Sequence, residues 1–269
     1  MDRRDFVNKG ALAALAAGAG AIFSTASAGE GESSASRRNV KSFGAQGDGK
    51  TDDSAAIEKA LASDAGTLVF DRGVYKLSRT IVVDLSKRGW TSIDGTGGAR
   101  IRMAAAGPAF HFIGTHKGTA EPDSVSELTW NSERLPLVQN IEILGDHENA
   151  VGLRLEKTLQ ATLGAVLIRN CSTGIHLVKR NRNIIISHCH IYQNRKVGIH
   201  FDHVDLHQAI ICSSHISYNP VAGIWLEGGG MRNFQFVGND IEYNHDAKLQ
   251  GSADLLIDMR PEGSSFREG

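Results

Sequence analysis

The sequence lacks an excess of charge of either sign, and it lacks a long apolar run. Its 29 Lys and Arg residues face 30 Asp and Glu residues, which leaves a net charge of -1. A chain with balanced charges has no excess of positive charge for binding nucleic acid, and no apolar run reaches the length of a membrane span. We therefore expect a soluble chain with neither a nucleic-acid partner nor a membrane partner.

The sequence is also poor in proline and in aromatic residues, and its composition does not favour a helical bundle. Only 5 prolines accompany 30 glycines, and aromatic residues make up 6% of the chain. Many glycine turns with few aromatic residues are typical of a β-rich protein. Hydrophobic residues make up 41% of the chain, which is enough for one sizeable core and excludes a disordered tail.

The start of the chain has the order of an export signal. Arg3 and Arg4 precede an Ala- and Gly-rich apolar stretch, which ends at an A-x-A cleavage site before residue 29. The arginine pair and its surroundings resemble the twin-arginine export signal. We expect residues 1–28 to be a twin-arginine-type signal peptide and residues 29–38 to be a linker. The mature protein is then periplasmic or extracellular.

Cysteine is scarce, and the three cysteines are Cys171, Cys189 and Cys212. An odd number leaves one thiol unpaired, and a twin-arginine substrate folds in the reducing cytoplasm before export. We predict that all three side chains are small core hydrophobes rather than disulfide partners.

Residues 39–66 predict a cap that contains one amphipathic helix. Asp52 or Asp53 is a suitable N-cap, because a carboxylate at a helix start accepts from free backbone N–H groups. The apolar face of the helix, spaced i, i+3 and i+4, consists of Ile57, Ala60 and Leu61. Short β-branched strands are expected at residues 67–70, 73–77 and 80–83.

An internal period of 24 to 25 residues follows the cap. Each unit contains an apolar residue, an asparagine three positions later, and then a glycine. The apolar members are Leu167, Ile191, Ile216 and Ile241, the asparagines are Asn170, Asn194, Asn219 and Asn244, and the glycines are Gly174, Gly198 and Gly223. Short strands at this period, with no helix between them, predict the stacked coils of a β-solenoid, in which the asparagines form a structural ladder.

This combination of cap and period resembles the right-handed parallel β-helix superfamily of pectate lyases, polygalacturonases and rhamnogalacturonases. Residues 39–83 resemble the start of its rhamnogalacturonase/epimerase-like pectate lyase domain, and residues 136–258 resemble its central coils. The resemblance implies an all-β fold, a single-stranded right-handed parallel β-helix over residues 39–258, with the cap at 39–66 and coils at 67–258.

The resemblance also implies that substrate lies along one parallel sheet, formed here by the strands that open at Gly174, Gly198 and Gly223. Strand alternation turns two columns of side chains outward on these strands. The first column is Arg154, His176, His200 and Trp225, and the second is Glu156, Val178, Asp202, Glu227 and Asp258.

We assign catalysis to Asp202, Glu227 and His200, and substrate binding to Trp225, His176 and Arg154. The indole of Trp225 offers a flat apolar surface for a sugar ring. Carboxylates in consecutive coils repel one another, so Asp202, Glu227 and Asp258 form a candidate Ca²⁺ site, and no organic cofactor is expected. The alternative interpretation is a solvated polar sheet face, because outward charges are common on a wet side of a sheet.

The function implied by the resemblance is action on an extended, uronate-containing polysaccharide. Polygalacturonases carry a paired Asp-Asp just before the equivalent strand, where this chain has Lys196-Val197 and Val221-Ala222. Lyase or epimerase activity is therefore favoured over hydrolysis, and a non-catalytic glycan-binding or surface scaffold is the alternative.

Residues 259–269 form a polar tail without a capping element, so the chain is either a short family member or a fragment; the oligomeric state is left open.

The export hypothesis predicts the effect of changing the arginine pair. Arg3→Lys with Arg4→Lys keeps both charges but removes the guanidinium groups, so we expect the precursor to accumulate in the cytoplasm. Immunoblotting of cytoplasmic and exported fractions measures the outcome, with Arg37→Lys and Arg38→Lys as the matched control. Unchanged export of the first variant contradicts the assignment.

Overall fold

A computed structural model describes residues 37–63, 66–118 and 121–268. The predicted signal peptide lies outside the described residues, as does most of the predicted linker. Arg37 and Arg38, the last two positions of that linker, belong instead to the first strand. No helix in the described part of the chain has the length and apolar character needed to cross a membrane.

Strands make up most of the structure, and helices are few. Helix α1 spans Ser54–Ser63 and helix α2 spans Leu85–Arg88, with short 3₁₀ turns at Val40–Phe43 and Pro122–Ser124 and a π-helical turn at Thr129–Glu133. The strands, β1 to β20 in chain order, are Arg37–Asn39, Asp48–Asp52, Gly66–Phe70, Gly73–Leu77, Ile81–Asp84, Thr91–Met103, Gly107–Ile113, Leu137–Gly145, Ala150–Glu156, Thr162–Gly164, Leu167–Arg169, Thr173–Ser187, His190–Tyr192, Val197–Cys212, His215–Ser217, Ala222–Glu227, Gly230–Val237, Asp240–Glu242, Ala253–Asp258 and Ser265–Arg267.

All strand pairings among the described residues are parallel, and they arrange the chain as coils with three faces. Face A contains β1, β3, β10, β17 and β20, the first parts of β6 and β8, and the last parts of β12 and β14. Face B contains β2, β4, β11, β13, β15 and β18 with the last parts of β6 and β8. Face C contains β5, β7, β9, β16 and β19 with the first parts of β12 and β14. The predicted right-handed parallel β-helix is confirmed.

The core fills the inside of the coils because each strand turns alternate side chains inward. In β14, Ile199 and Phe201 are fully buried, whereas His200 and Asp202 between and after them point outward. Register places apolar residues of neighbouring coils in the same inward positions, so burial continues from coil to coil. The repeated apolar columns therefore stabilise the stack along its axis.

Helix α1 covers the first coil with the predicted apolar face, which is buried. Asp52 Oδ1 accepts from the Ser54 backbone N–H at the helix start (3.1 Å). The Asp53 carboxylate instead accepts from the backbone N–H groups of Gln46 and Gly47, at 2.6 and 3.1 Å. Asp52 is thus the side-chain cap, while Asp53 fixes the preceding turn.

A buried amide ladder lines the turn between faces B and C. Asn194, Asn219 and Asn244 lie in consecutive coils and are at most 1% exposed. Asn219 Oδ1 accepts from the backbone N–H of Asn194 (3.1 Å), and Asn244 Oδ1 accepts from that of Asn219 (3.1 Å). The side-chain amides also donate along the ladder, at 3.0 and 2.7 Å. Each asparagine therefore pairs buried backbone groups that the turn leaves without sheet partners.

The first predicted member of the period is wrong by one residue. Register places Ile168, not Leu167, in the apolar column. Likewise the backbone N–H of Cys171, not of Asn170, donates to Asn194 Oδ1 (3.0 Å). Asn170 instead occupies a left-handed turn position with φ 56°. This coil is one residue shorter between the ladder and its glycine, which a self-alignment on the asparagines does not detect.

The cysteine prediction is correct at two positions and wrong at the third. Cys171 and Cys189 are buried, and burial raises their pKa values to about 12 and about 11. Cys212 is only partly buried, so it is not a core hydrophobe. All three are free thiols.

Asn219→Ala tests the ladder at its centre. The substitution leaves the buried N–H groups of Asn194 without their acceptor, so we expect the free energy of unfolding to fall by about 3 kcal/mol. Urea unfolding measures the change, and Asn149→Ala, at an exposed turn position, is the matched control. Equal unfolding midpoints for the two variants contradict a structural role for the ladder.

Candidate functional site

The predicted site residues all lie on face C. Register stacks one outward column from β7 to β16, namely His111, Arg154, His176, His200 and Trp225. The second column, from β9 to β19, is Glu156, Val178, Asp202, Glu227 and Asp258. Register neighbours in such a sheet are about 4.8 Å apart, so the structure brings the predicted residues onto one continuous surface. Val178 is buried within it.

Two histidines of the first column each reach diagonally to the carboxylate of the next coil. His176 Nε2 donates to Asp202 Oδ2 (2.8 Å), and His200 Nε2 donates to Glu227 Oε2 (2.8 Å). These histidine–carboxylate pairs lie on consecutive coils. Strand alternation predicts the columns but not the diagonal, because the diagonal depends on the side-chain rotamers.

The two imidazoles are held in one protonation state. Burial lowers the pKa values of His176 and His200 below their usual value, and the hydrogen bonds to Asp202 and Glu227 offset this only in part. A neutral ring that donates its Nε2 proton keeps a lone pair on Nδ1. Among the described residues, neither Nδ1 atom has a hydrogen-bond partner. Each pair is therefore an oriented base, with the carboxylate fixing the tautomer.

Asp202 accepts hydrogen bonds from two histidines. Besides the bond from His176, its Oδ1 accepts from His203 Nδ1 (2.8 Å). Burial raises the pKa of Asp202, but the hydrogen bonds from His203 and His176 outweigh burial and bring the pKa below its usual value. The same contact raises the pKa of the exposed His203. Asp202 is thus an ionised acceptor at neutral pH.

The rings of the first column stack face to face along the helix axis. The ring centroids of His176 and His200 are 5.4 Å apart, and those of His200 and Trp225 are 4.6 Å apart with an interplanar angle of 10°. One face of the Trp225 indole is therefore covered by His200, and Leu256 is its register neighbour in the next coil. The flat surface predicted at Trp225 is therefore limited to what His200 leaves uncovered.

A cavity of about 730 Å³ opens at the Trp225 end of the column. Its walls include the loop that carries Lys248 and the strand residues Leu256 and Asp258, followed by Arg260. Trp225 Nε1 is buried and has no hydrogen-bond partner in the described part of the chain. The cavity thus combines an apolar wall, an indole donor without a partner, the Lys248 side chain and an Asp258–Arg260 ion pair, which suits a small polar ligand.

The three carboxylates of the predicted Ca²⁺ site are already paired with nitrogen donors of the protein. Both oxygens of Asp202 already accept from imidazole nitrogens, and Glu227 accepts from His200. Asp258 pairs with Arg260 at 2.5 Å, and these hydrogen bonds lower the pKa of Asp258 to about 2. Ca²⁺ takes six to eight oxygen ligands, so this nitrogen-rich, internally paired set is a poor fit for it.

Sequence analysis missed two residues of this face. His111 heads the first column, and its Nε2 lies 3.3 Å from Glu156 Oε2, which repeats the diagonal pairing. It precedes the internal period, so the alignment contained no signal for it. His203 directly follows Asp202 and could have been found, because the turn at φ 46° brings its ring back to that carboxylate.

Two family models match the chain. Residues 37–107 match the family described as rhamnogalacturonase A/epimerase, pectate lyase-like, and residues 130–254 match the right handed beta helix region. The resemblance inferred from the cap and the coils is thereby confirmed. No curated protein matches the chain.

Solved structures with the same fold share little sequence with this chain. ORF18 of Geobacillus virus E2 is 19% identical with a TM-score of 0.62, and the match covers 82% of this chain and 45% of that one. An Acinetobacter phage tailspike protein is 18% identical (TM-score 0.54, 84% and 45% covered), and PfbA, a surface adhesin of Streptococcus pneumoniae, is 13% identical (TM-score 0.50, 82% and 66% covered). The chain spans less than half the length of the two phage proteins, and these likenesses show the fold alone.

The lowered histidine pKa values predict how stability changes with pH. Because the folded pKa values of His176 and His200 lie below the unfolded value, the unfolded chain binds more protons in that window, and stability falls as pH decreases from 6.5. We expect His176→Gln with His200→Gln to lose less stability than the wild type between about pH 7.5 and about pH 5. Thermal unfolding across this range measures it, with the exposed His188→Gln as control. Identical pH profiles for the double variant and the wild type contradict the assignment.

Proposed function

We propose that this right-handed parallel β-helix protein, whose residues 37–107 and 130–254 match the two family models, belongs to the pectate lyase superfamily and acts on an extended, uronate-containing polysaccharide laid along face C. The reaction is β-elimination or epimerisation at C5 of a uronate. The observation that carries the proposal is the pair of oriented histidine bases, His176 with Asp202 and His200 with Glu227, on consecutive coils.

The chemistry needs a base that removes the weakly acidic C5 proton. The free Nδ1 lone pair of His200 takes this proton while Glu227 stabilises the imidazolium that forms. In elimination, the C4–O bond then breaks, a C4=C5 double bond forms, and the proton passes to the leaving oxygen. In epimerisation, a water molecule on the opposite side of the ring donates a proton to C5, and the imidazolium of His200 later loses its proton to solvent. Either reaction uses the residues of this face without an organic cofactor.

The protonation states favour these reactions over hydrolysis. A glycosidase needs one carboxylic acid that keeps its proton near neutral pH and donates it to the leaving oxygen. The hydrogen bonds from His203 and His176 outweigh burial and lower the pKa of Asp202, which therefore is an ionised acceptor rather than an acid. The site thus supplies bases more readily than a carboxylic acid.

Positive charge beside the bases suits a uronate. Arg154 lies next to His176 in register, and its Nε is buried without a hydrogen-bond partner among the described residues. A substrate carboxylate bound there stabilises the arginine and disperses the negative charge that develops when C5 loses its proton. Lys248, at the cavity beside Trp225, supplies a cation for a neighbouring uronate, whereas Arg260 is already paired with Asp258.

Export agrees with this function, because extended acidic polysaccharides lie outside the cytoplasm. We propose a periplasmic or extracellular location on the basis of the signal-like order of residues 1–28.

Asp202→Asn with Glu227→Gln tests the proposed activity. The variant keeps side-chain shape but removes the charges that orient both histidines, so we expect product formation to fall by about 10²- to 10⁴-fold with little change in unfolding. The readout is ultraviolet absorbance of unsaturated uronate products from pectate, alginate and rhamnogalacturonan, with and without Ca²⁺, and C5 inversion followed by nuclear magnetic resonance. Glu127→Gln with Glu262→Gln, at exposed positions, is the matched control.

The same panel separates the rival activities. New reducing ends without ultraviolet absorbance indicate a hydrolase and contradict the histidine-base mechanism. Binding without any product indicates a non-catalytic glycan scaffold. Activity that disappears on chelation and returns with Ca²⁺ shows that the reaction requires a cation and contradicts a mechanism that uses the histidine bases alone.

A further inference from the structure

A second charged surface lies at the corner where face C turns into face A. Register stacks four basic side chains there, one from each of four consecutive coils: Arg182, His207, Arg232 and Arg267. We call these residues the basic column. Arg232 and Arg267 are exposed register neighbours, and neither forms an ion pair within 4.0 Å in the described part of the chain. Like charges in directly opposed positions destabilise a sheet, so this column favours an anionic partner.

A column of amide side chains runs beside the basic column. It consists of Gln160, Asn183, Gln208 and Asn233, all at left-handed turn positions with φ between 55° and 68°. The turn conformation points these side chains away from the core, and Asn183 Nδ2 donates to Gln208 Oε1 (2.7 Å). Planar amides with both donors and acceptors match the hydroxyl groups of a sugar.

Three cavities follow these two columns along the corner. A cavity of about 500 Å³ is lined by Trp130, Gln160, Arg182 and Asn183, and Asn183 also lines the next one, of about 270 Å³, with Gln208 and Asn233. A third, of about 360 Å³, is lined by His207 and Arg232. The first two share a wall residue, so they form one path along the helix axis.

An exposed aromatic patch stands at one end of this path. Trp130 is 45% exposed and Trp90 is 52% exposed, so two of the three tryptophans of the chain lie on this surface. The Arg134 guanidinium lies 4.6 Å from the Trp130 ring centroid and 5.7 Å from that of Trp90. Large exposed aromatic side chains beside a polar groove are typical of a binding surface.

We propose that this corner is a second binding site for an extended anionic polysaccharide, separate from face C. The basic column binds the charged groups, the amide column binds hydroxyl groups, and Trp130 packs against a sugar ring at one end. Both columns repeat once per coil, about 4.8 Å apart, and arginines stand in three of the four coils. His207 supplies a neutral ring in the remaining coil, because burial lowers its pKa and its Nε2 lies 3.0 Å from the Asn233 amide nitrogen. The site holds polymer and performs no chemistry.

A polysaccharide is favoured over nucleic acid as the partner. The net charge of the chain is -1, so there is no broad positive field beyond this column. Acidic groups also interrupt the surface, because Asp205 pairs with Arg180 at 2.8 Å and Glu268 lines the second cavity. A narrow row of cations between amides fits a single sugar chain better than a duplex backbone.

Arg232→Gln with Arg267→Gln tests the site without using turnover. Native gels that contain polygalacturonate, dextran sulfate or neutral dextran measure binding as retardation of the folded protein. We expect the double variant to bind the two anionic polymers at least fivefold more weakly than the wild type and to lose part of the salt dependence. Arg72→Gln with Lys59→Gln removes two exposed cations from the cap region and is the matched control.

Two results overturn the proposal. One is equal retardation of the Arg232/Arg267 variant and the control in both anionic gels. The other is retardation of the wild type by single-stranded DNA as strong as by polygalacturonate, which indicates a general polyanion surface. Because the gels report binding alone, an inactive face C leaves these outcomes unchanged, and the Asp202/Glu227 variant provides a second comparison in which the basic column is intact.

Discussion

The parallel register between successive coils is the constraint on which the rest of this structure depends. It places each outward side chain about 4.8 Å from its equivalents above and below, so every surface property of the protein is arranged in columns. Whether a column is tolerated depends on its chemistry. Amides such as Asn194, Asn219 and Asn244 satisfy one another, whereas columns of like charge need partners from elsewhere.

On face C, hydrogen bonds from histidines of the same chain offset the repulsion between carboxylates in consecutive coils. Asp202 and Glu227 are register neighbours, yet each accepts from an imidazole one coil away, and His203 adds a further donor to Asp202. The diagonal pairing converts a repulsive column into two oriented bases. In the basic column, at the corner between face C and face A, Arg232 and Arg267 form no ion pair within 4.0 Å in the described part of the chain. The stacked charges of face C are thus paired within the protein, whereas these two guanidinium groups are not.

The fold could be predicted from the sequence because successive coils repeat the same spacing of apolar, asparagine and glycine residues. The cap helix, the stacked coils and most members of the two outward columns follow from spacing and alternation, including the position of Asp258 after a long loop. Spacing failed where one coil lost a residue, which moved the ladder position from Asn170 to Cys171. Spacing also could not predict contacts that depend on side-chain rotamers. These are the stacking of His200 on Trp225 and the diagonal hydrogen bonds between histidines and carboxylates. His111 lies outside the period and could not be reached by self-alignment.

The turns between coils tolerate changes in length. Several of them pass through a single left-handed residue, such as Asn170, Gln193, Tyr218 and Tyr243 at one corner. A coil that shortens by one residue, as before Gly174, or that carries a loop such as residues 245–252, still returns to the same register. Insertions at these corners can therefore change the loops around face C or around the basic column while the columns keep their spacing, so the surface can vary without repacking of the core.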